Sequence, residues 1–334
     1  MSKSFMGIDL HKRNCVFTEI DSDGKVLRRG KFGNNIEEVT KFAQTLTKDE
    51  ELVVEPTLNY LWFLDQVVPY VGGVHPANPA KVRVIAEAKT KCDRYDSLIL
   101  AELLRTNFLP ESYYVPKEIR EIKDLIRQRG HLVSLRAALK NRIRHLMFQN
   151  GSQVGVANIS SDKARREISR LSLSLTIMEL VRQCLGTIDY LGKEIAVLED
   201  KISSSSVGEA ERDLLETMPG IGPLYAVIIF AETGHIGRFK SGRAYASYCG
   251  LVPGVRASGD KAYLGPITKT GSRALRKVFV EAAVKGYHKS PSLKHLFQRV
   301  LYKSNVQKAR VAVAHKLATI TYAILTKREP FRIS

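Results

Sequence analysis

At Pro116 the chain changes its hydrophobic period, and no single regular architecture can absorb the change. Upstream, short apolar runs alternate with turns. Residues 5–9, 15–20 and 25–32 read as three strands, the last two joined by the turn Ser22-Asp-Gly24. Helical spacing follows over 35–46, then a strand over 51–55, a helix over 60–68, a strand over 71–75, and helices over 79–88 and 93–106. A strand meander followed by alternating helix and strand predicts a mixed α/β sheet. Downstream, Ile119, Ile122, Leu125, Ile126, Leu132, Leu135, Leu139, Ile143 and Leu146 recur at three- and four-residue steps. That spacing predicts a long helix to about Phe148, despite Gly130.

A second helical stretch over 163–202, with Gly186 inside it, carries Ile188, Leu191, Ile195, Leu198 and Ile202. The pair reads as an antiparallel helical arm of coiled-coil type, fit for self-association. Ser203–Ser206 reads as a connection. Beyond it, Met218-Pro-Gly-Ile-Gly-Pro223 separates two helical patterns, the second over 224–232, in the form of a helix–hairpin–helix element. A glycine-bounded turn of this kind aims free backbone N–H groups at a phosphate, so Gly220 and Gly222 are candidate nucleic-acid contacts. Two more helices are expected over 272–288 and 306–327. The expected organisation is α/β plus all-α: an α/β domain over 1–115, the arm over 116–206, and a mainly helical basic domain over 207–334.

Charge divides the chain more sharply than period does. Lys and Arg number 52 against 34 Asp and Glu, a net charge of +18. Residues 1–110 hold 15 of each sign, whereas residues 238–334 hold 20 basic and 3 acidic side chains, so 17 of the 18 net charges fall in the last 97 residues. A neutral front with a cationic rear is the footprint of an enzyme acting on a polyanion, nucleic acid above all. The composition excludes collagen-like and disordered classes, and no apolar run approaches a membrane span. Four cysteines, Cys15, Cys92, Cys184 and Cys249, lie far apart without a CxxC pair. A zinc site or disulfide framework is therefore not expected, and a reducing cytoplasm is the natural setting.

The front holds four carboxylates at telling positions. Asp9 ends the first strand and Glu55 the fourth, while Asp93 and Asp96 are three apart at the start of a helix and share a face. Carboxylates so arranged can converge into an oxygen-rich site for Mg²⁺ or Mn²⁺. Two such ions about 4 Å apart stabilise both the entering and the leaving oxygen of a phosphodiester displacement. Lys89, Lys91 and Arg94 stand beside them to hold the phosphate backbone. The competing reading is four ordinary surface acids, with Asp93 capping its helix.

Gly7-Ile-Asp-Leu-His-Lys12, Val54-Glu-Pro-Thr57 and Lys91-Cys-Asp-Arg-Tyr-Asp-Ser97 resemble the DEDD signature of insertion-sequence family 110 transposases, relatives of the Piv-type DNA invertases that include bridge-RNA-guided recombinases. Met218-Pro-Gly-Ile-Gly-Pro223, Tyr248-Cys-Gly-Leu-Val-Pro253, Ser258-Gly259 and Gly271-Ser-Arg-Ala-Leu-Arg276 resemble the C-terminal region of the same family. The resemblance implies an RNase H-like, RuvC-type front domain with the metal-binding tetrad Asp9, Glu55, Asp93 and Asp96. It also implies a nucleophilic serine in the rear domain, for which Ser258 fits best. Two positions depart from the usual pattern: Ser97 stands where Ala is common, and Ser272 where Asn is common, which sets a second serine near the first.

A serine hydroxyl is a weak nucleophile near neutral pH and needs activation. The expectation is that Ser258 acts with the metal-bound tetrad while Arg256, Lys261, Lys269, Arg273 and Arg276 hold phosphate oxygens. The product would be a covalent phosphoserine–DNA intermediate that conserves the bond for rejoining. Expected partners are donor and target double-stranded DNA, a non-coding guide RNA and further copies of the chain, as dimer to tetramer, in a cytoplasmic, nucleoid-associated enzyme. Rival readings are a structure-specific endonuclease that uses the tetrad and water, and a non-catalytic nucleic-acid scaffold. A tyrosine recombinase built on Tyr245, Tyr248 or Tyr263 would not need four acids in a separate domain. His11, which follows the Asp9 strand, reads as a turn residue, with contact to the site as the alternative, and Trp62 reads as core or interface.

Overall fold

The computed structural model describes residues 3–79, 81–82, 93–258 and 261–332, with the backbone alone for 93–94, 255–258 and 261–264. They fall into two compact units, Met1–Lys117 and Glu118–Ser334.

The front unit is a five-stranded mixed sheet in the order β3-β2-β1-β4-β5. Its strands are β1 (Ser4–Leu10), β2 (Asn14–Ile20), β3 (Val26–Gly33), β4 (Glu50–Val54) and β5 (Gly73–Pro76). β1, β2 and β3 form an antiparallel meander, and β4 pairs parallel with both β1 and β5. Alternation along β1 gives each face its own partner. Met6, Ile8 and Leu10 pack with Val39, Phe42, Phe63 and Leu64 of α1 (Ile36–Ala43) and α2 (Tyr60–Val67). Trp62 lies partly buried against that cluster, a core position.

The odd-numbered face of β1 receives α3 (Asp93–Arg105). A Cβ on Gly7 would stand 1.9 Å from the Ser97 carbonyl oxygen and 2.7 Å from the Ala101 nitrogen, so only glycine lets α3 lie this close. Ser97 is fully buried, and its hydroxyl lies 2.9 Å from that of Thr18, the residue paired with Gly7 across the sheet. The serine found where alanine is common thus answers a buried threonine hydroxyl. The expected helix over 79–88 lies almost wholly outside the described residues.

In the rear unit α4 (Lys117–Gln149) runs unbroken through Gly130. The second arm stretch is divided, contrary to the expectation of one helix, into α5 (Asp162–Ile168) and α6 (Leu175–Ser203). Serines cause the division. Ser161 and Ser174 accept hydrogen bonds from the Ala164 and Ile177 amides and start a helix each, as short hydroxyl side chains favour. Ile122 and Ile126 share a buried cluster with Ile202, whereas Ile143 and Leu146 share one with Val181 and Ile188, so α4 and α6 are antiparallel.

Beyond the arm come α7 (Glu209–Glu216), α8 (Pro223–Thr233), α9 (Gly242–Tyr248), α10 (Arg273–Lys289), α11 (Pro291–Lys303) and α12 (Val306–Lys327). Their shared core includes Val227, Ile229, Tyr245, Phe279, Ala282, Ala314 and Leu317. The region is mainly helical as expected, with one addition. β6 (Pro253–Ser258) and β7 (Lys261–Ile267) form an antiparallel hairpin where the sequence predicts no regular element. Pro253, Gly254, Gly265 and Pro266 depress the strand signal there. No helix among the described residues is long and apolar enough to cross a membrane.

Candidate active site

The front site begins with register. β1 and β4 are adjacent and parallel, and Ile8 pairs with Val54. Asp9 and Glu55 therefore leave the carboxyl ends of neighbouring strands side by side. Asp9 shares the face of Phe5 and Gly7, the face covered by α3, and is 8% exposed. Asp96 lies on α3, half-buried, one residue before the serine whose carbonyl seats over Gly7. Asp93 opens that helix one turn earlier, described by its backbone only. Two strand ends and one crossing helix thus bring the backbones of all four candidates to one corner of the sheet. Among the described residues no three His, Cys, Asp or Glu side chains form a metal-holding group, a statement that omits the Asp93 carboxyl. Lys89 and Lys91 lie outside the described residues, as does the Arg94 side chain.

The donor set is carboxylate oxygen without thiolate, and a strand-end carboxylate held almost wholly out of water gains from a cation. These residues therefore fit a hard divalent ion such as Mg²⁺ or Mn²⁺. His11 meets the alternative the sequence left for it, contact with Asp9, with Nε2 3.1 Å from Asp9 Oδ2. Cys15, paired with Leu10 beside this strand end, is pushed up to about 12, first by burial and then by the Asp9 and Glu38 charges. It is an inert thiol.

The rear site centres on the hairpin. Ser258 ends β6 and pairs with Lys261, the first residue of β7, while Arg256 pairs with Tyr263. Residues two apart on a strand, and residues directly opposite across a pair, share a sheet face. Register therefore assigns Arg256, Ser258, Lys261 and Tyr263 to one face of the ribbon. Their side chains lie outside the described set.

Ser272 is differently employed. It caps α10, accepting from the Leu275 amide at 3.3 Å and donating to Glu232 Oε2 at 3.1 Å. Glu232 Oε2 also lies 3.4 Å from Lys123 Nζ. Gly271, at φ +99° with no room for a Cβ beneath the Tyr248 carbonyl, brings Ser272 into that place. Sequence reading missed Glu232 and Lys123; the only signal was a lone acid ending an otherwise apolar helix. Arg276 donates to the Lys269 carbonyl at 3.0 Å and so pins the loop before α10, and Arg273 is exposed. Lys269 is exposed in the left-handed region at φ +55°.

Gly220 and Gly222 separate in role. A Cβ on Gly220 would stand 2.4 Å from the Ala282 carbonyl, so this glycine serves packing against α10. Gly222 meets nothing within 4 Å of where a Cβ would lie, and it opens α8, whose first-turn amides lack intrahelical acceptors. The tyrosines are less available. Tyr245 is fully buried, 2.7 Å from the Thr233 hydroxyl, and burial holds its phenol well above the usual range. The Tyr248 hydroxyl donates to the Glu232 carbonyl at 3.3 Å.

Two family models match the chain. One, described as a transposase of DEDD IS110 type, covers residues 6–150. The other, described as the transposase IS116/IS110/IS902 family, covers residues 212–298. The chain is 28% identical to a probable family 20 transposase of Pseudomonas aeruginosa, covering 75% of this chain and 79% of that protein. It is also 28% identical to the transposase for insertion sequence element IS1111A of Coxiella burnetii, over 72% and 68%. A pilin gene-inverting protein of Moraxella lacunata is 26% identical over 99% of this chain and 98% of its own length.

Proposed function

This chain belongs to the IS110 family of transposases, enzymes that cut and rejoin DNA, and from that premise we propose how its residues divide the work. Asp9, Glu55, Asp93 and Asp96 hold the divalent metal that a DEDD domain implies. When bound, the ion supplies Lewis-acid stabilisation of charge on the phosphodiester oxygens. Ser258 is the nucleophile. Its Oγ bonds to the scissile phosphorus as the bond from phosphorus to the leaving deoxyribose oxygen breaks, and the hydroxyl proton passes through solvent to that oxygen, which leaves as a free deoxyribose hydroxyl. The phosphoserine linkage keeps one phosphoester for one, so rejoining needs no outside energy source. Arg256 and Lys261 hold the non-bridging oxygens, with Lys269 and Arg273 on the flanking backbone. Gly222 offers helix-end amides to a phosphate.

The observation that carries the serine assignment is the contrast between the two serines. Ser272 is committed to a helix cap and to Glu232, whereas Ser258 shares a ribbon face with two cations. We further propose a non-coding guide RNA and a homo-oligomer of two to four copies, supported by the acid-poor rear of the chain and by the apolar repeat of the arm. The test is a nicked substrate that traps the cleaved state. Covalent protein–DNA adduct is expected from the parent and from Ser272→Ala, and none from Ser258→Ala. Adduct from Ser258→Ala would remove the assignment, and cleavage without any adduct would favour water as nucleophile and an endonuclease. RNA sequencing of the purified native protein is expected to return one defined non-coding species.

A further inference from the structure

The outer part of the arm carries a row of cations for which the proposed chemistry has no use. Between residues 125 and 161 the sequence holds six Lys and Arg and no Asp or Glu. Arg136, Lys140 and Arg144 stand at successive i,i+4 positions of α4, about 6 Å apart along its axis, and Phe148 continues the row. Like charges at this spacing oppose helix formation, so the row persists against local preference.

The arm's carboxylates do not neutralise it. Glu199 pairs with Arg129 at 2.5 Å, Asp189 with Arg165 at 2.6 Å, Glu179 with Arg182, and Asp124 with Arg127 at 3.0 Å. Among the described residues, no carboxylate pairs with Arg136, Lys140, Arg142 or Arg144. Two of the cations are instead steadied by neutral acceptors. Lys140 Nζ donates to Asn158 Oδ1 at 2.9 Å, and Arg144 donates to Asn141 Oδ1 at 3.2 Å and to the Ala157 carbonyl at 2.8 Å. Burial, followed by the Arg136 and Arg144 charges on either side, lowers the Lys140 ammonium below the ordinary lysine value. Positive charge is therefore concentrated and held in place. At the end of the row the Phe148 ring is 67% exposed and borders an open hollow with Arg144, His145 and Gln153.

We propose that this face of α4 is a binding site for unpaired DNA, with Arg136, Lys140 and Arg144 on consecutive phosphates and a base stacked on Phe148. Resting on the reading of the chain as a DNA-joining enzyme, the site names a partner for strands exposed during exchange. Its chemistry selects the ligand. Cations in line follow a sugar–phosphate backbone, and an exposed aromatic ring offers a platform to a base face that a duplex keeps stacked. A second copy of the same face would be repelled, charge against charge.

The experiment measures binding of the full-length Ser258→Ala protein to a fluorescein-labelled 20-nucleotide DNA, to its duplex and to the RNA of the same sequence, across salt. Loss of adduct chemistry does not enter this assay, so its failure is separate from failure of the proposed reaction. Replacing Arg136, Lys140 and Arg144 with Gln is expected to lower the salt slope for the single strand by about 2, from roughly 0.7 per phosphate. Phe148→Ala is expected to weaken single-strand binding about tenfold and leave the duplex unchanged, with Phe148→Trp retaining parental affinity. An Arg127→Gln/Arg182→Gln control should bind as the parent does, and every variant should show a cooperative thermal melt, which shows that it is folded. Equal effects on duplex and single strand, an effect confined to RNA, or no effect would each overturn the proposal.

Discussion

In the front unit the candidate carboxylates come from two neighbouring inner strands and the helix packed on them, whereas in the rear unit the candidate nucleophile stands at the end of a two-stranded ribbon. Asp9 is 92% shielded because Gly7, two residues back, lets α3 lie directly on β1. Among the described residues Ser258 has one cross-strand partner, Lys261, and no third strand beside it. The difference separates two demands of the chemistry. A metal site must be preorganised by packing before substrate arrives, while a nucleophile must leave room for a bulky polymer on one side. On the proposed reading, changes in the first set should cost the fold as well as the reaction, and changes in the second should cost the reaction alone.

Several changes would break or sharpen that contrast. The largest effect is expected from Asp9→Asn, which keeps the shape but removes the charge; strand transfer should fall on the order of 10³-fold. A metal-dependent thermal shift in the parent should vanish in this variant, and activity near parental levels would dissociate Asp9 from the chemistry. Next comes Gly7→Ala, where the new methyl meets helix backbone. Unfolding measurements should find a loss of about 1–3 kcal/mol, the range for overpacked cores. Ser258→Ala should leave stability within about 0.5 kcal/mol, as expected of a residue that serves the reaction rather than the fold. Ser272→Ala should reverse that pattern, keeping the adduct while losing about 0.5–2 kcal/mol with the cap.

The smallest effect concerns thiols. Burial pushes Cys15 and Cys249 up to about 12 from an ordinary 9.0. For an acid whose folded pKa is raised, stability is complete below pH 9 and declines as pH climbs toward 12, since the unfolded chain ionises first. Below pH 9, iodoacetamide should modify the partly exposed Cys184 well before either buried thiol.

What the sequence made legible follows the strength of local signals. The front strands lie within about two residues of their expected bounds, because period-2 alternation and turn residues agree there. The long α4 was equally plain. By contrast α11 was missed because Ser290-Pro291 reads as a break, although serine as cap and proline in the first turn are how that helix begins. Short α9 has too few turns to establish a period. For the candidate site, Asp9 and Glu55 stand near strand ends and Asp93 and Asp96 in the first turn of α3, the placements their sequence positions predict. The Glu232–Ser272 link was not legible, since a contact between residues 40 apart leaves no local trace.

The central claim is that a hydroxyl of the rear unit becomes esterified to DNA while the front carboxylates govern the reaction. Mass spectrometry of the nuclease-trimmed adduct tests it most directly, run on the parent and on Asp9→Asn. The account predicts a nucleotide phosphate on the peptide carrying Ser258 in the parent and no adducted peptide in the variant. A phosphate on Ser272 or on a tyrosine, or an adduct that forms as readily without the Asp9 charge, would contradict it.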